Sequence, residues 1–119
     1  MRPTNIIVLQ EAKAITATNT GASVDLSDAT GNGYLVLNSS YTGGSDQTAN
    51  VKIQHSADGT TWTDSGVAFS QVTNAANKYQ ALYMNVDGFK KYVRVVDTLA
   101  GTSPTHTFGV LWVGDGSGN

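Results

Sequence analysis

Short runs of β-branched and aromatic residues recur about every ten residues along this chain, and turn-forming residues separate them. Such runs are typical of strands, because branched and aromatic side chains pack well on a pleated surface. They lie at residues 5–10, 14–20, 24–27, 34–37, 51–56, 61–63, 67–72, 79–86, 92–99 and 105–113. Parallel βαβ units would need helical patterns of about 10 to 15 residues between the strands. The spacing therefore predicts an all-β fold, an antiparallel sandwich of about eight to nine short strands or a small barrel.

Two of the runs differ in how their apolar residues are arranged. Residues 51–56 alternate, with Val51, Ile53 and His55 on one side, which predicts a half-buried antiparallel strand. Residues 34–37 read Tyr-Leu-Val-Leu without a polar interruption, which predicts a central strand buried on both faces.

The segments between the runs indicate where the chain reverses. The Asp58-Gly59 pair predicts a tight hairpin, because a type I′ turn needs two residues at positive φ. Residues 28–33, rich in Gly and Asn, predict another turn. Residues 38–50 are polar and aperiodic, which predicts an exposed loop of a length that tends to carry function. A helix competes with a strand at residues 11–17, where Glu-Ala-Lys-Ala is locally favourable to helix.

The length of 119 residues allows one core, so we expect a single domain over residues 1–119, with an N-terminal arm at 1–5 and a flexible tail at 114–119. Charged residues make up 13% of the chain and the net charge is −2, which provides no electrostatic footprint for nucleic acid or an anionic membrane, since binding to phosphates depends on many clustered Lys and Arg. No apolar stretch has the length of a membrane span or a signal peptide. We therefore expect a soluble protein, made in a cytoplasm, with no nucleic-acid or membrane partner.

Few residues are candidates for catalysis or metal binding. Each of the two histidines, His55 and His106, is interpreted as bonded to backbone at a sheet margin. Residues 58–64 lack the spaced acids and the bidentate Glu of a calcium loop, so a hairpin is favoured over a metal site there. Nucleophilic catalysis needs a nucleophile beside an oriented base, and the sequence offers no such pattern. We expect no enzyme activity, no metal and no cofactor.

The basic and aromatic residues are the remaining candidates for binding sites. The basic cluster at residues 90–94 is interpreted as a solvated strand face rather than an anion site. Trp112 lies in an apolar run and is expected in the core, whereas Trp62 lies among threonines and is expected at the surface. An exposed Trp62 or Tyr41 beside Asp and Asn side chains would indicate carbohydrate binding.

A set of ordered segments carries a resemblance to a known group of proteins. The segments are Ala14-Ile-Thr-Ala-Thr18, Val24-Asp-Leu26, Val51-Lys-Ile-Gln-His-Ser-Ala-Asp-Gly-Thr-Thr-Trp-Thr-Asp64, Ala68-Phe-Ser-Gln-Val-Thr73, Gly88-Phe-Lys-Lys-Tyr-Val-Arg-Val-Val96 and Gly101-Thr-Ser-Pro-Thr105. In their order and spacing, they resemble small tailed-bacteriophage virion proteins of the head decoration, or cement, type. The resemblance covers about four fifths of the chain.

This resemblance implies a jelly-roll-like antiparallel sandwich that is made in the host cytoplasm and binds the outside of an assembled phage head. It implies the major capsid protein as partner and a homotrimer at three-fold or quasi-three-fold positions. No catalytic residue carries over, because the group is not enzymatic.

Within this interpretation, capsid contacts are expected from the N-terminal arm and from the loop at residues 38–50. The contact residues are Arg2, Pro3, Thr4, Asn5 and Tyr41. One alternative is a carbohydrate- or receptor-binding sandwich of a phage tail or fibre. Another is a hydrolase, which would require a pocket that holds a histidine with a carboxylate at hydrogen-bond distance.

Overall fold

The computed structural model describes residues 4–27, 29–41, 46–73 and 76–116. In these ranges the chain forms nine strands and one turn of 3₁₀ helix, Val86–Gly88. The strands are β1 (Thr4–Ile15), β2 (Asn19–Thr20), β3 (Val24–Asp25), β4 (Ala29–Tyr41), β5 (Thr48–Ser56), β6 (Thr63–Ala68), β7 (Tyr79–Asn85), β8 (Tyr92–Ala100) and β9 (His106–Gly116). No helix in the described ranges is long and apolar enough to cross a membrane.

The strands form two antiparallel sheets. Sheet 1 has the order β1-β9-β4-β7, and sheet 2 has the order β2-β8-β5-β6, with β3 also pairing with β8. The chain passes repeatedly from one sheet to the other, and the first strand pairs with the last. This is the strand order of a jelly roll, in which the two sheets enclose one core. The predicted all-β, jelly-roll-like antiparallel sandwich is confirmed.

The core lies between the two sheets and takes alternate residues from each strand. The most deeply buried apolar side chains are Leu35, Leu37, Phe108, Val110 and Trp112 from sheet 1, and Val51, Ile53, Val93 and Val95 from sheet 2. Strand β5 alternates as predicted between buried and accessible positions as far as Gln54. Trp112 is in the core, also as predicted.

The prediction that residues 34–37 are buried on both faces is wrong. Leu35 and Leu37 point into the core and are fully buried, whereas Tyr34 is 48% exposed and Val36 is half-buried. The run is apolar on both sides, but the described chain places a second sheet against only one of them.

The hairpin after β5 is longer than a two-residue type I′ turn. Gly59 has a φ of 79°, but Asp58 does not share its positive φ. Instead, one Asp58 carboxylate oxygen accepts hydrogen bonds from the backbone N–H groups of Thr60 and Thr61, at 2.9 and 3.0 Å. Strand β6 therefore begins only at Thr63, and it ends at Ala68 instead of continuing to residue 72.

Several predicted loops belong to strands. The turn expected at residues 28–33 falls mostly within β4, where Gly31 has a φ of 74° and the pairing with β9 shifts between Ala29 and Gly33. The loop expected at residues 38–50 is strand at both ends, because β4 continues through Tyr41 and β5 begins at Thr48. Cross-strand pairing explains both errors, since polar residues such as Ser39 and Ser40 pair with β9.

The expected arm and tail also overlap strands. Thr4 and Asn5 pair with Asp115 and Gly114, so the inner ends of segments 1–5 and 114–119 are hydrogen-bonded to each other. Residues 1–3 and 117–119 lie outside the described residues. Residues 11–15 are strand, so the competing helix does not form, and β1 contains two register irregularities between Val8 and Lys13.

Candidate functional site

The outer face of sheet 1 is built from three cross-strand rows of side chains. The first row is Ile6, Val113, Tyr34 and Tyr83; the second is Val8, Leu111, Val36 and Ala81; the third contains Gly109, Asn38 and Tyr79. Residues that are paired across an antiparallel sheet point to the same side of it. We call the apolar members of these rows the apolar face; they are Ile6, Val8, Tyr34, Val36, Tyr79, Ala81, Tyr83, Leu111 and Val113.

The apolar face collects every large hydrophobic side chain that is strongly exposed in the described structure. The exposed fractions are 60% for Ile6, 49% for Val8, 48% for Tyr34, 73% for Tyr79 and 64% for Tyr83. Tyr34 and Tyr83 pack edge to face, with their ring centroids 5.1 Å apart. Aromatic pairs favour this geometry, because the positive edge of one ring meets the negative face of the other.

A concave depression of about 590 Å³ lies at one end of the apolar face. Val8 and Ala12 of β1 line one side and Tyr79 of β7 lines the other, while Gly109 lies between them. A Cβ built on Gly109 would be 3.4 Å from backbone atoms of Ala12, so the irregular part of β1 packs directly over this position of β9. Asn38, Ser40 and Glu11 add polar groups at this depression.

The outer face of sheet 2 has the opposite character. The Lys52 ammonium group lies 3.0 Å from the Asp64 carboxylate, which also accepts a hydrogen bond from the Gln54 amide at 3.0 Å. Gln54 in turn accepts a hydrogen bond from Arg94 Nε at 2.8 Å. The Gln54 hydrogen bond and then Lys52 hold the pKa of Asp64 below its usual value. Polar and charged groups on this face therefore already satisfy one another.

The ring of Trp62 is less exposed than the sequence predicted. Its ring is half-buried, and the Arg94 guanidinium carbon lies 4.5 Å from the ring centroid. This cation–π contact covers one face of the indole. Trp62, which was expected at the surface, is therefore only partly exposed and does not supply the open ring that would indicate carbohydrate binding.

The five predicted contact residues do not form one site in the described structure. Arg2 and Pro3 lie outside the described residues. The backbones of Thr4 and Asn5 begin β1, and the backbone of Tyr41 ends β4 opposite His106. The prediction that these residues contact a capsid stays a prediction, but Thr4 and Asn5 belong to a sheet rather than to a free arm.

The two histidines have different environments. His55 is half-buried, and its Nδ1 accepts a hydrogen bond from the Lys90 backbone N–H at 3.2 Å, as expected for a histidine at a sheet margin. Burial, and then the charge of Lys90, lowers the pKa of His55. The same expectation is wrong for His106, which is fully buried with Nδ1 2.5 Å from an Asp97 carboxylate oxygen. His106 also stacks on Phe108, because both side chains point inward from β9.

The buried pair of His106 and Asp97 supplies a histidine beside a carboxylate but not a reaction site. Both side chains have no accessible surface, so a substrate in solvent cannot reach the ring. Within the described ranges, no group of three or more His, Asp or Glu side chains is placed to hold a metal ion.

The apolar face was missed because its signal is spread over strands that are distant in sequence. The runs at residues 6–9, 34–37 and 110–113 are each continuously apolar, and β9 brings them together by pairing with both β1 and β4. Continuous apolar runs indicate burial on both sides, and nothing in one run says that its own chain covers only one.

The sequence matches no protein-family model, and no curated protein matches it. Among solved structures, the chain is similar to a chain in the structure of infectious bursal disease virus, Gt strain, with a TM-score of 0.44 and 14% identity over 99% of this chain and 34% of that one. The Gx strain of the same virus gives a TM-score of 0.41 and 13% identity over 100% of this chain and 34% of that one. The chain thus spans about a third of the length of the chains it matches.

Proposed function

We propose that this chain is a structural virion protein, a decoration or cement protein that binds the outer surface of a phage head and stabilises it. The ordered resemblance at residues 14–26 and 51–105 supports the capsid role. The contrast between the two outer faces of the sandwich supports a role in protein binding. A jelly roll by itself decides little, because the same architecture occurs in viral capsid proteins and in lectins.

One observation carries the proposal: residues 6–9 of β1, 34–37 of β4 and 110–113 of β9 are apolar on both sides, but the described chain covers only one side. Leu35 and Trp112 face the core, while their neighbours Val36 and Val113 face outward in the same sheet. Large exposed apolar patches on soluble proteins mark interaction sites. A protein that must lie against a large protein surface has this property without needing catalytic groups.

Stabilisation of the head follows from linkage. A protein that binds the assembled shell but not the free subunits shifts the equilibrium toward the shell. In this proposal the partner is the major capsid protein, and three copies form a homotrimer. Weak contacts that are repeated by each copy then add up to durable attachment.

The test uses phage heads that lack this protein, purified from cells infected by a phage in which the gene for this chain has been deleted. Purified protein is added to these heads, and co-sedimentation and resistance of the heads to heating are measured. The proposal expects saturable binding and a higher temperature of head disruption. Absence of binding at micromolar concentrations of protein, with the protein folded by circular dichroism, would overturn it.

A second candidate function, glycan binding, is favoured by the depression beside Tyr79. Tyr79 is largely exposed and stands next to Asn38 and Ser40, which is the combination of an aromatic ring and polar groups that a sugar site uses. Retention of the wild-type chain on polysaccharide resins, lost in a Tyr79→Ala variant, would support this candidate over head binding.

A further inference from the structure

We infer that the chain docks through the apolar face of sheet 1, and that its partner there is an uncharged, apolar protein surface repeated on the capsid shell. This inference rests on the proposed function and names the surface that carries it. The sequence prediction placed the contacts in the arm and the loop at residues 38–50. The structure instead offers a continuous face on the strands themselves.

The chemistry of the partner follows from the absence of charged side chains in the three rows; Glu11 is the charged residue that lines the depression at their end. The three rows that define the face contain only aliphatic, aromatic, Gly and Asn residues. A charged partner surface would lose water at this contact and gain no opposite charge in return. An apolar partner surface has no charge of its own to desolvate, and the contact releases water from the apolar surface of both sides.

Sheet 2 is a poor alternative for the same contact. On its outer face, Lys52, Gln54, Asp64 and Arg94 are connected by hydrogen bonds and an ion pair. Docking there would remove water from charges that gain no new partner. The sandwich therefore has one face suited to protein contact and one suited to solvent.

The exposed apolar area of one copy is too small for a specific interface of standard size, but the combined area of several copies is large enough. Aromatic side chains have about 150–250 Å² each to bury, so the three exposed tyrosines, with Ile6 and Val8, offer on the order of 500 Å². Specific interfaces of standard size bury about 800 Å² per partner. A single face is below that value, whereas three faces on a trimer offer roughly 1,500 Å². A repeated shell can engage the three faces of one trimer at once, whereas a single second copy would bury only one of them.

The depression in the apolar face has a shape that can accept a protruding apolar side chain of the partner. The depression beside Gly109 has Val8 and Tyr79 on its two sides. Side chains that are held in such desolvated hollows carry much of the binding free energy in protein interfaces.

The test compares lysine substitutions on opposite faces of the sandwich. Tyr79→Lys and Tyr83→Lys, singly and combined, place charge on the apolar face, and Thr98→Lys places the same charge on the exposed outer side of sheet 2. Tyr79, Tyr83 and Thr98 are all exposed, so we expect all the variants to fold, as checked by circular dichroism and thermal unfolding. Binding to heads that lack the protein is measured by co-sedimentation at two salt concentrations.

We expect the affinity for heads to fall more than tenfold in the combined tyrosine variant and to change less than twofold in Thr98→Lys. Raising NaCl from about 0.05 M to about 0.5 M should leave wild-type affinity within roughly threefold, because screening acts on charges and not on apolar contact. If the wild type does not bind heads, the proposed function fails. If the wild type binds and the combined tyrosine variant binds equally well, only the docking face is wrong. Self-association of the chain is measured by sedimentation velocity in the wild type and in the combined tyrosine variant. If the wild type forms a dimer that the variant does not form, and head binding is unchanged, the face binds a second copy and the inference is overturned.

Discussion

His106 Nδ1 lies 2.5 Å from a carboxylate oxygen of Asp97, and the two side chains join the two sheets through the core. Asp97 points inward from β8 of sheet 2, and His106 points inward from β9 of sheet 1. Burying a carboxylate is costly unless a hydrogen-bonding partner compensates for the lost water. The pair is therefore a polar contact between the two sheets in a largely apolar core.

We predict that Asp97 and His106 are strongly coupled in stability. Asp97→Ala should lower the free energy of unfolding by about 3 kcal/mol, because it removes the carboxylate that faces the buried ring. A cycle of Asp97→Ala, His106→Ala and the double variant, measured by urea unfolding, should give a coupling free energy of about 1–3 kcal/mol. Thr98→Ala, at the exposed neighbouring position, should change stability by less than about 0.5 kcal/mol. A coupling near zero would mean that the contact contributes nothing to stability.

We predict that adjacent residues of β4 differ sharply in their contribution to stability. Leu35→Ala should cost about 2–5 kcal/mol, since it opens a cavity between the two sheets. Val36→Ala should cost less than about 1 kcal/mol, since that side chain faces outward and is already partly solvated. Chemical denaturation of the two variants, in protein without heads, measures the difference. Equal losses would show that the outer side of sheet 1 is covered after all.

We predict that Gly114 cannot be replaced without cost, although the sequence placed it in a flexible tail. A Cβ at this position would lie 2.8 Å from Trp112 Cζ2 and 3.0 Å from the Asn32 carbonyl oxygen. Gly114→Ala should therefore destabilise the protein by about 1–3 kcal/mol through overpacking. Gly88→Ala is the matched control, since a Cβ there meets no atom within 4 Å. If both variants melt at the wild-type temperature, β9 does not pack at residue 114 as described.

We predict that Asp58 contributes to acid unfolding. Backbone N–H groups of Thr61 and Thr60, and then the Ser56 hydroxyl, hold the pKa of Asp58 far below its usual value of 3.8. Because the folded pKa is depressed, its contribution to stability is complete above the unfolded pKa and is lost as the pH falls below about 3.8. Thermal unfolding between pH 6 and pH 2.5 should show a shallower loss in Asp58→Asn than in the wild type. Parallel curves for the two proteins would contradict this assignment.

The alternation at residues 51–56 and the regular spacing of the strands were enough to predict an antiparallel sandwich, and the apolar run around Trp112 was enough to place that residue in its core. These features are local, because period-two alternation and turn residues act within a few positions of the chain. The boundaries at residues 38–50 were missed for the opposite reason. Ser39 and Ser40 are poor strand formers by type, and their pairing with β9 comes from residues more than 60 positions away.

The candidate site also combines features that are encoded locally with features that depend on distant parts of the chain. Residues 6–9, 34–37 and 110–113 are recognisable in the sequence as apolar on both sides of a strand, because each run lacks a polar interruption. That these runs are neighbours in one sheet, and that the second sheet covers one side of it, follows from the folded arrangement of the strands. Strand order depends on contacts between distant parts of the chain, and no local pattern encodes it. For that reason the fold class could be predicted from the sequence, while the apolar face, and the buried contact of Asp97 with His106, could be found only in the folded chain.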